Sequence, residues 1–184
     1  MRWEELFADL EGQLEAAAAA DLDAEVADRT RREAALLVLV DRVRGALGHR
    51  VTLRVGGAGL VDGVLRDVGL EWVLVEDGGR EALVPLGAVR ALTGLTPWSG
   101  APEPSGRVAR QLSLRWALRG IARDRSGVTA VLLDATVLTG TVDRVGADFV
   151  EIAAHGPGEP RRRADVRAVQ TVPLEALAVL RRAG

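Results

Sequence analysis

The chain has 184 residues, 48% of them apolar, and a formal net charge of −2 at pH 7. This composition predicts a packed core rather than a disordered chain, and the slight negative charge argues against a protein that coats nucleic acid, because such proteins are usually plainly basic. Cysteine is absent, which excludes disulfides, thiol catalysis and cysteine-based zinc sites.

The first predicted element is helical and covers residues 2–47. Apolar residues at its start recur every three or four positions, which is typical of one side of an amphipathic helix. These residues, called the N-terminal stripe below, are Trp3, Leu6, Phe7 and Leu10. One continuous helix and two helices separated near Asp21 both fit this region. The block 36–40 is apolar on every side, so we expect it to be buried.

The beginning of the chain also bears on its location. The first residues are acidic and amphipathic, whereas a secretory signal starts basic and then becomes apolar. No apolar run reaches the ~18 residues of a membrane-spanning helix. We therefore expect a cytoplasmic protein that has no membrane partner.

Two later stretches of the chain, 51–76 and 128–153, are similar to each other without a gap. A repeated segment of this kind is one supersecondary unit, so we predict two similar domains. The shared positions include two glycines and a later Val-Pro-Leu triplet. In the first copy they are Gly63, Gly69 and 84–86, and in the second copy they are Gly140, Gly146 and 172–174.

Each copy predicts a helix followed by five short strands rich in β-branched and aromatic residues. The first copy has a helix at 29–47 and strands at 51–55, 60–66, 72–75, 81–84 and 89–92, and the second copy begins with a helix at 107–123. Segments 56–59 and 77–79 predict hairpin turns. The Pro- and Gly-rich segment 93–106 predicts a linker.

The second copy carries the clearest motif. Its segment 138–150, LTGTVDRVGADFV, and the triplet 172–174, VPL, resemble the two signatures of the Sm-like (LSm) fold. The whole chain is also similar to a family of tandem-domain proteins from high-GC bacteria. The resemblance implies an α+β fold with two small Sm-like five-stranded antiparallel β-barrels in tandem, each preceded by a helix, and a long N-terminal helical extension. The implied domains are an amphipathic helix at 1–28, a helix plus barrel at 29–92, a linker at 93–106 and a helix plus barrel at 107–184.

Sm-like proteins typically form rings and bind uridine-rich RNA in a pocket, and that pocket is altered here. The corresponding positions are Gly146, Asp148 and Val150 in the second copy, and Gly69, Glu71 and Val73 in the first. None of these side chains presents a stacking surface or an amide to a base, and the two carboxylates would repel phosphate. The resemblance therefore implies the fold but not the RNA pocket.

The sequence offers few groups for catalysis. A general base or nucleophile needs a partner within hydrogen-bonding distance, and the histidines are His49 and His155. We expect His49 to cap a helix and His155 to be solvated in a Gly/Pro-rich loop. Asp134, Asp143 and Asp148 have no histidine or cysteine at ligand spacing, so we expect them on the solvent face of strands. We predict that the chain is not an enzyme and has no cofactor or metal site.

These observations favour a non-enzymatic interaction or regulatory module, built from tandem Sm-like barrels, that binds a protein partner or self-associates. A helix with an apolar stripe buries that stripe against its own chain, a second copy or a partner. The N-terminal stripe and the barrel edges are therefore the predicted contact surfaces.

The alternative hypothesis is a regulator that binds RNA or DNA through a basic loop at 161–167. Arginine forks suit phosphate groups, and this loop holds the one arginine triplet of the sequence. A solvated surface loop is the competing interpretation. The predicted nucleic-acid contacts are Arg161, Arg162, Arg163 and Arg167.

Overall fold

The computed structural model describes residues 3–100, 113–155 and 168–182 of the chain. The chain divides into two compact units, Met1–Val38 and Leu39–Gly184. Each unit is described by itself below. The domain limits predicted after residues 28, 92 and 106 stay predictions.

The first unit contains one α-helix, α1, which spans Trp3–Leu36 and continues past Asp21 without a break. Residues 13–36 contain neither glycine nor proline, and most of them are good helix formers. An exposed ion pair joins Arg29 to Glu33 at 3.0 Å across one turn. A pair of this kind adds only about 0.3–0.5 kcal/mol, so the helical composition is the main local reason for α1.

In the second unit, the described residues form one antiparallel sheet of ten strands. The first set of strands, β1 to β5, comprises Arg50–Val55, Gly59–Val68, Trp72–Asp77, Arg80–Pro85 and Val89–Thr93. The second set, β6 to β10, comprises Gly127–Leu132, Val137–Val145, Phe149–Ala154, Ala168–Pro173 and Leu177–Arg182. Within the described residues, two short helices accompany the sheet, α2 at Leu39–Arg44 and α3 at Leu114–Asp124.

The prediction of two five-stranded barrels is wrong. Hydrogen-bonded neighbours follow the order β5-β1-β2-β3-β4-β10-β6-β7-β8-β9, so the described strands form one open sheet. Closing the first set of strands into a barrel would require β4 to pair with β5. Instead the last strand of the chain, β10, pairs with β4. The two sets are therefore joined into a single sheet.

Strand pairing follows the same pattern in the two sets. Val51 lies opposite Gly63 in the first set, and Val128 lies opposite Gly140 in the second. The register shifts once between the second and third strands of each set. After each set's fourth strand, a single 3₁₀ turn leads into the fifth strand, at Leu86–Ala88 and Leu174–Ala176.

The mid-strand glycines lie against the backbone of the neighbouring strand. A Cβ on Gly63 would come within 2.4 Å of the carbonyl oxygen of Glu76, and a Cβ on Gly140 within 2.1 Å of that of Ala153. Any side chain would therefore force the paired strands apart. This close approach explains why both sets have glycine at the position where the second strand meets the third.

The predicted hairpin turns are confirmed. The turn at 56–58 joins β1 to β2, and Gly78 and Gly79 join β3 to β4. Gly78 and Gly79 have φ angles of 56° and 80°. Two-residue hairpin turns with positive φ at both positions match the twist of the flanking strands. Pro85 is the last residue of β4, a position where proline is tolerated although it has no N–H to donate.

The start of the predicted linker is bound to α2. The Arg42 guanidinium donates hydrogen bonds of 3.0 Å to the carbonyl oxygens of Thr96 and Pro97. The Gly100 amide donates to the carbonyl oxygen of Asp41 at 2.7 Å. Residues 96–100 are therefore attached to a helix, while 101–112 lie outside the described residues.

Among the described residues of the second unit, two hydrophobic clusters form the core, and each contains residues of both strand sets. Trp72 and Leu83 belong to the first set but pack in the cluster of the second set. Val131 and Val179 belong to the second set but pack in the cluster of the first. The two sets consequently share their core as well as their sheet.

The expectation that the block 36–40 is buried is wrong. Leu36 is 82% exposed, and Leu37, Val38 and Leu39 are also exposed. Val40 alone is half-buried and packs beside the first cluster. A segment that is apolar on every side is typical of a buried helix, but in the part of the chain that the structure describes four of these five residues are exposed.

Candidate functional site

At the junction between the two strand sets, β4 and β10 pair with each other and bury apolar side chains. Leu83 of β4 lies opposite Leu180 of β10, and Ala82 lies opposite Arg181. Leu83 and Leu180 are 4% and 3% exposed. Backbone pairing and apolar burial therefore act together at this boundary.

The two ends of the sheet, by contrast, have a free side. Within the described part of the chain, β5 pairs only with β1, and β9 pairs only with β8. The first four residues of β9 are all exposed, and Val169 is 53% exposed. An exposed edge strand presents unpaired N–H and C=O groups that can accept another strand. These two edges are the candidate interaction site.

Charged side chains cluster on β1 and β2. The Asp62 carboxylate accepts a hydrogen bond from the Thr52 hydroxyl at 2.7 Å and further hydrogen bonds from the Arg50 guanidinium. These bonds lower the pKa of Asp62, and the same contact raises the pKa of Arg50. Arg50 also contacts the Asp77 carboxylate at 3.3 Å, so its guanidinium is already paired within this cluster.

A small crevice of about 200 Å³ lies beside the junction. Its walls include Trp72, Leu83, Ile121 and Leu180. Pockets for small molecules usually measure about 300–1,000 Å³. The crevice is below that range, so we do not assign a ligand to it.

Two of the positions that correspond to an Sm-like RNA pocket, Glu71 and Asp148, line a wider cleft of about 560 Å³. Glu71 accepts a hydrogen bond from the Leu114 amide at 3.1 Å, at the start of α3. Glu175 adds a third carboxylate, and Arg115 is the cation of the lining. Phosphate is disfavoured beside this excess of carboxylates, in line with the expectation from the sequence.

The N-terminal stripe lies on α1. Phe7 is 57% exposed, and the side chains of Trp3, Leu6 and Leu10 lie outside the described part of the structure. The loop with Arg161, Arg162, Arg163 and Arg167 falls in 156–167, which also lies outside it. Both groups of predicted contact residues stay predictions.

The expectation that His155 is solvated is wrong. His155 is 6% exposed, and its Nε2 lies 2.7 Å from the hydroxyl oxygen of Thr141. It directly follows β8, and its amide donates a hydrogen bond to the carbonyl oxygen of Thr139 at 3.3 Å, so His155 packs against β7. His49 is exposed, and its Nδ1 lies 3.1 Å from the carbonyl oxygen of Leu47, in the turn after α2.

The predicted strand positions of the aspartates hold only in part. Asp134 lies in a turn, where its carboxylate accepts a hydrogen bond from the Thr136 amide at 2.9 Å, which lowers the pKa of Asp134. Among residues 3–100, 113–155 and 168–182, no three His, Cys, Asp or Glu side chains are grouped so that they could hold a metal ion. The helices in these same ranges include none that is both long and apolar enough to cross a membrane.

The sequence predicts contacts at the barrel edges in general and does not single out residues of β9. A signal for the β9 edge is nevertheless present in the sequence. Aligning the copies places Thr171 against Leu83 and Gln170 against Ala82. A polar residue in place of a buried apolar one indicates that the second copy of this strand is not covered in the same way.

No protein-family model matches the chain, and no curated protein matches it at a significant level.

Proposed function

We propose that this chain is a non-enzymatic interaction module that self-associates or binds another protein, and that it acts in the cytoplasm. The observation that carries the proposal is the exposure of both outer strands of the sheet, β5 and β9. Strand addition at such an edge supplies affinity through main-chain hydrogen bonds.

Exposed apolar side chains elsewhere support the same proposal. Leu22 and Val26 are one turn apart on α1 and are 61% and 56% exposed, and Leu36 is more exposed still. Single exposed apolar residues are ordinary, but contiguous ones mark interaction surfaces. The exposed apolar residues at 36–39 are contiguous and therefore support an interaction surface.

Strands pair in the same pattern within each of the two sets, and this likeness supports an origin by duplication of one unit. In both sets a glycine amide at the turn before the third strand donates to that strand's first carbonyl oxygen, from Gly69 to Trp72 at 2.9 Å and from Gly146 to Phe149 at 2.8 Å. A duplicated unit that joins its own copy has a surface suited to joining further copies.

Light scattering tests self-association. We expect the full chain to show a multiple of the monomer mass, rising with concentration. We expect the variant without residues 1–20 to form smaller assemblies, because it lacks the N-terminal stripe. A variant lacking residues 183–184 is the control for truncation itself. Two results together would rule out the self-associating form: a monomer at all concentrations for the full chain, and the same mass after deletion.

Because of the arginine triplet, nucleic-acid binding is the second candidate function. If Arg161, Arg162 and Arg163 contact phosphates, replacing all three with alanine should reduce the slope of log affinity against log salt by about 2.7 on duplex DNA, or about 2.1 on single strands. Replacing Arg29, Arg31 and Arg32 on α1 makes the same change of charge elsewhere. No binding at low salt by the unmodified chain would end this alternative.

A further inference from the structure

We infer that copies of this chain associate through a helix–helix contact, in which the acidic middle of α1 in one copy packs antiparallel on the outer face of α3 in a second copy. This inference rests on the self-associating form of the proposed function and names its interface. The argument uses the exposed side chains of the two helices, each taken within its own unit.

The outer face of α3 carries exposed arginines beside a tryptophan. Leu114 and Leu118 are buried on the inner side of this helix. A helix turns by about 100° per residue, so the opposite side is formed by other positions. The residues there, called the basic patch below, are Trp116, Arg119, Gly120 and Arg123.

The basic patch has the composition of a protein contact surface. Trp116 is 47% exposed, and tryptophan and arginine are enriched at the energetic centres of interfaces. A Cβ on Gly120 would meet no atom within 4 Å, so a second helix can approach the backbone closely here. Arg119 and Arg123 are exposed, and among the described residues neither has an ion-pair partner. Both guanidinium groups are therefore open to carboxylates of a partner.

The helix α1 carries a patch of the opposite charge. Its segment 3–28 contains aspartate and glutamate throughout but no basic residue. Near the middle of the helix, two carboxylates and two apolar side chains are exposed together. Neither carboxylate forms an ion pair with another residue that the structure describes. These residues, called the acidic patch below, are Asp21, Leu22, Glu25 and Val26.

Each patch consists of two rows, because residues four positions apart lie one above the other on a helix. One row is charged and its neighbour is not. The charged rows are Arg119 with Arg123 and Asp21 with Glu25. The uncharged rows are Trp116 with Gly120 and Leu22 with Val26. The two patches therefore match in length, in charge and in apolar surface.

The order of the rows determines the direction of the contact. On a right-handed helix seen from outside with its C-terminus up, each residue lies to the right of the one before it. Gly120 follows Arg119, and Leu22 follows Asp21, so the charged row lies to the left on both helices. When two such faces are brought together, the charged rows meet only if one helix is inverted. The contact is consequently antiparallel.

The antiparallel register brings Asp21 to Arg123 and Glu25 to Arg119, and it packs Trp116 against the apolar row of the acidic patch. Exposed ion pairs contribute little affinity one by one. The tryptophan therefore supplies most of the affinity, and the charges select the partner and its direction.

Charge reversal tests the contact. Arg119→Glu with Arg123→Glu sets carboxylates against carboxylates, and Asp21→Arg with Glu25→Arg sets guanidinium groups against guanidinium groups. We expect each double variant alone to assemble about tenfold more weakly or worse, because like charges that face each other are costly. An equimolar mixture should recover the assembly of the unmodified chain, because opposite charges then meet between the two variants. Light scattering over a range of concentrations measures both effects.

Arg54→Glu with Arg80→Glu is the matched control for the change of charge. Both arginines are exposed and lie in β1 and β4, away from α3 in sequence. This variant should assemble like the unmodified chain. Circular dichroism checks that every variant remains folded.

Removing the tryptophan tests the apolar part of the contact. Trp116→Ala should weaken assembly by about thirtyfold or more, which is the usual loss at an interface hot spot. Trp98→Ala removes a tryptophan that is 77% exposed but lies outside the basic patch. It should leave assembly unchanged.

Cysteine pairs test the direction, because the chain has no cysteine of its own. A mixture of Asp21→Cys and Arg123→Cys should form more covalent dimer on mild oxidation than a mixture of Asp21→Cys and Arg119→Cys. A parallel contact would bring position 21 closer to position 119. The reverse order of yields would therefore overturn the antiparallel direction.

The outcomes separate this inference from the proposed function. Multimers that persist unchanged in the folded charge-reversed variants and in folded Trp116→Ala would overturn the contact between α1 and α3 and leave self-association standing. Charge-reversed variants that weaken assembly but are not restored by mixing would also overturn it. A chain that remains monomeric at every concentration would contradict both the inference and self-association.

Discussion

Gly140→Ala is expected to destabilise the protein by about 3 kcal/mol or more, the upper end of the cost of overpacking a tight interior. The added Cβ would lie 2.1 Å from the carbonyl oxygen of Ala153. Backbone cannot move aside as the end of a long side chain can, so β7 and β8 must separate. Chemical denaturation followed by far-ultraviolet circular dichroism measures the effect.

Gly120→Ala is the matched control, because it adds the same methyl group in the same half of the chain. Gly120 lies in α3, and a Cβ there meets no atom within 4 Å. Alanine in a helix is better than glycine by roughly 0.5–1 kcal/mol, so this variant should be slightly more stable. Equal stability of Gly140→Ala and the unmodified chain would show that β7 and β8 are not so close at this point.

Trp72→Ala is expected to cost about 3–5 kcal/mol, the usual range for removing a large aromatic residue from a core. Trp72 is 4% exposed and lies in β3, yet it packs in the cluster of the second strand set. Its loss should therefore weaken both sets together. We expect a single unfolding transition, moved as a whole to lower denaturant concentration.

Trp98→Ala is the control for this variant, since Trp98 is 77% exposed. The hydrogen bond that Arg42 donates at this residue goes to the backbone carbonyl and survives the change. Surface substitutions of this kind usually stay within about 0.5 kcal/mol. Two separate transitions, with only the first moved by Trp72→Ala, would indicate two independently folding domains and would contradict the shared core.

Much of the local structure could be predicted from the residues. Strands β1 to β5 agree with the predicted segments to within two residues at each end, because alternating apolar residues and glycine turns are short-range signals. The Gly78-Gly79 turn is the clearest case, as two adjacent glycines supply the positive φ angles that the turn requires.

The errors concern what each element packs against. His155 stands beside a Gly/Pro-rich stretch, which predicts solvation, but it follows β8 closely enough to reach Thr141. The block 36–40 has the composition of a core segment, yet four of its residues are exposed among the residues that the structure describes. Burial depends on neighbours that are distant in sequence, so composition alone did not reveal either outcome.

The candidate site was predicted only in part. The N-terminal stripe and the arginine loop are visible as local patterns, whereas the open edges at β5 and β9 depend on which strands pair across the chain. The polar residues Gln170 and Thr171 carried a weak signal of an uncovered strand. That signal needed the internal alignment before it could be interpreted.

The amino-acid sequence by itself determined where strands, turns and bends form, because these depend on side-chain shape and backbone freedom within a few residues. It also determined that glycine stands at both close approaches, since no other residue fits there. Only the tertiary structure decided that the two sets make one open sheet. A free strand edge can pair with a strand of its own set or with a strand of the other set, and no local feature of the sequence distinguishes these two pairings. In this protein β10 pairs with β4, so the edge of the first set pairs with the second set.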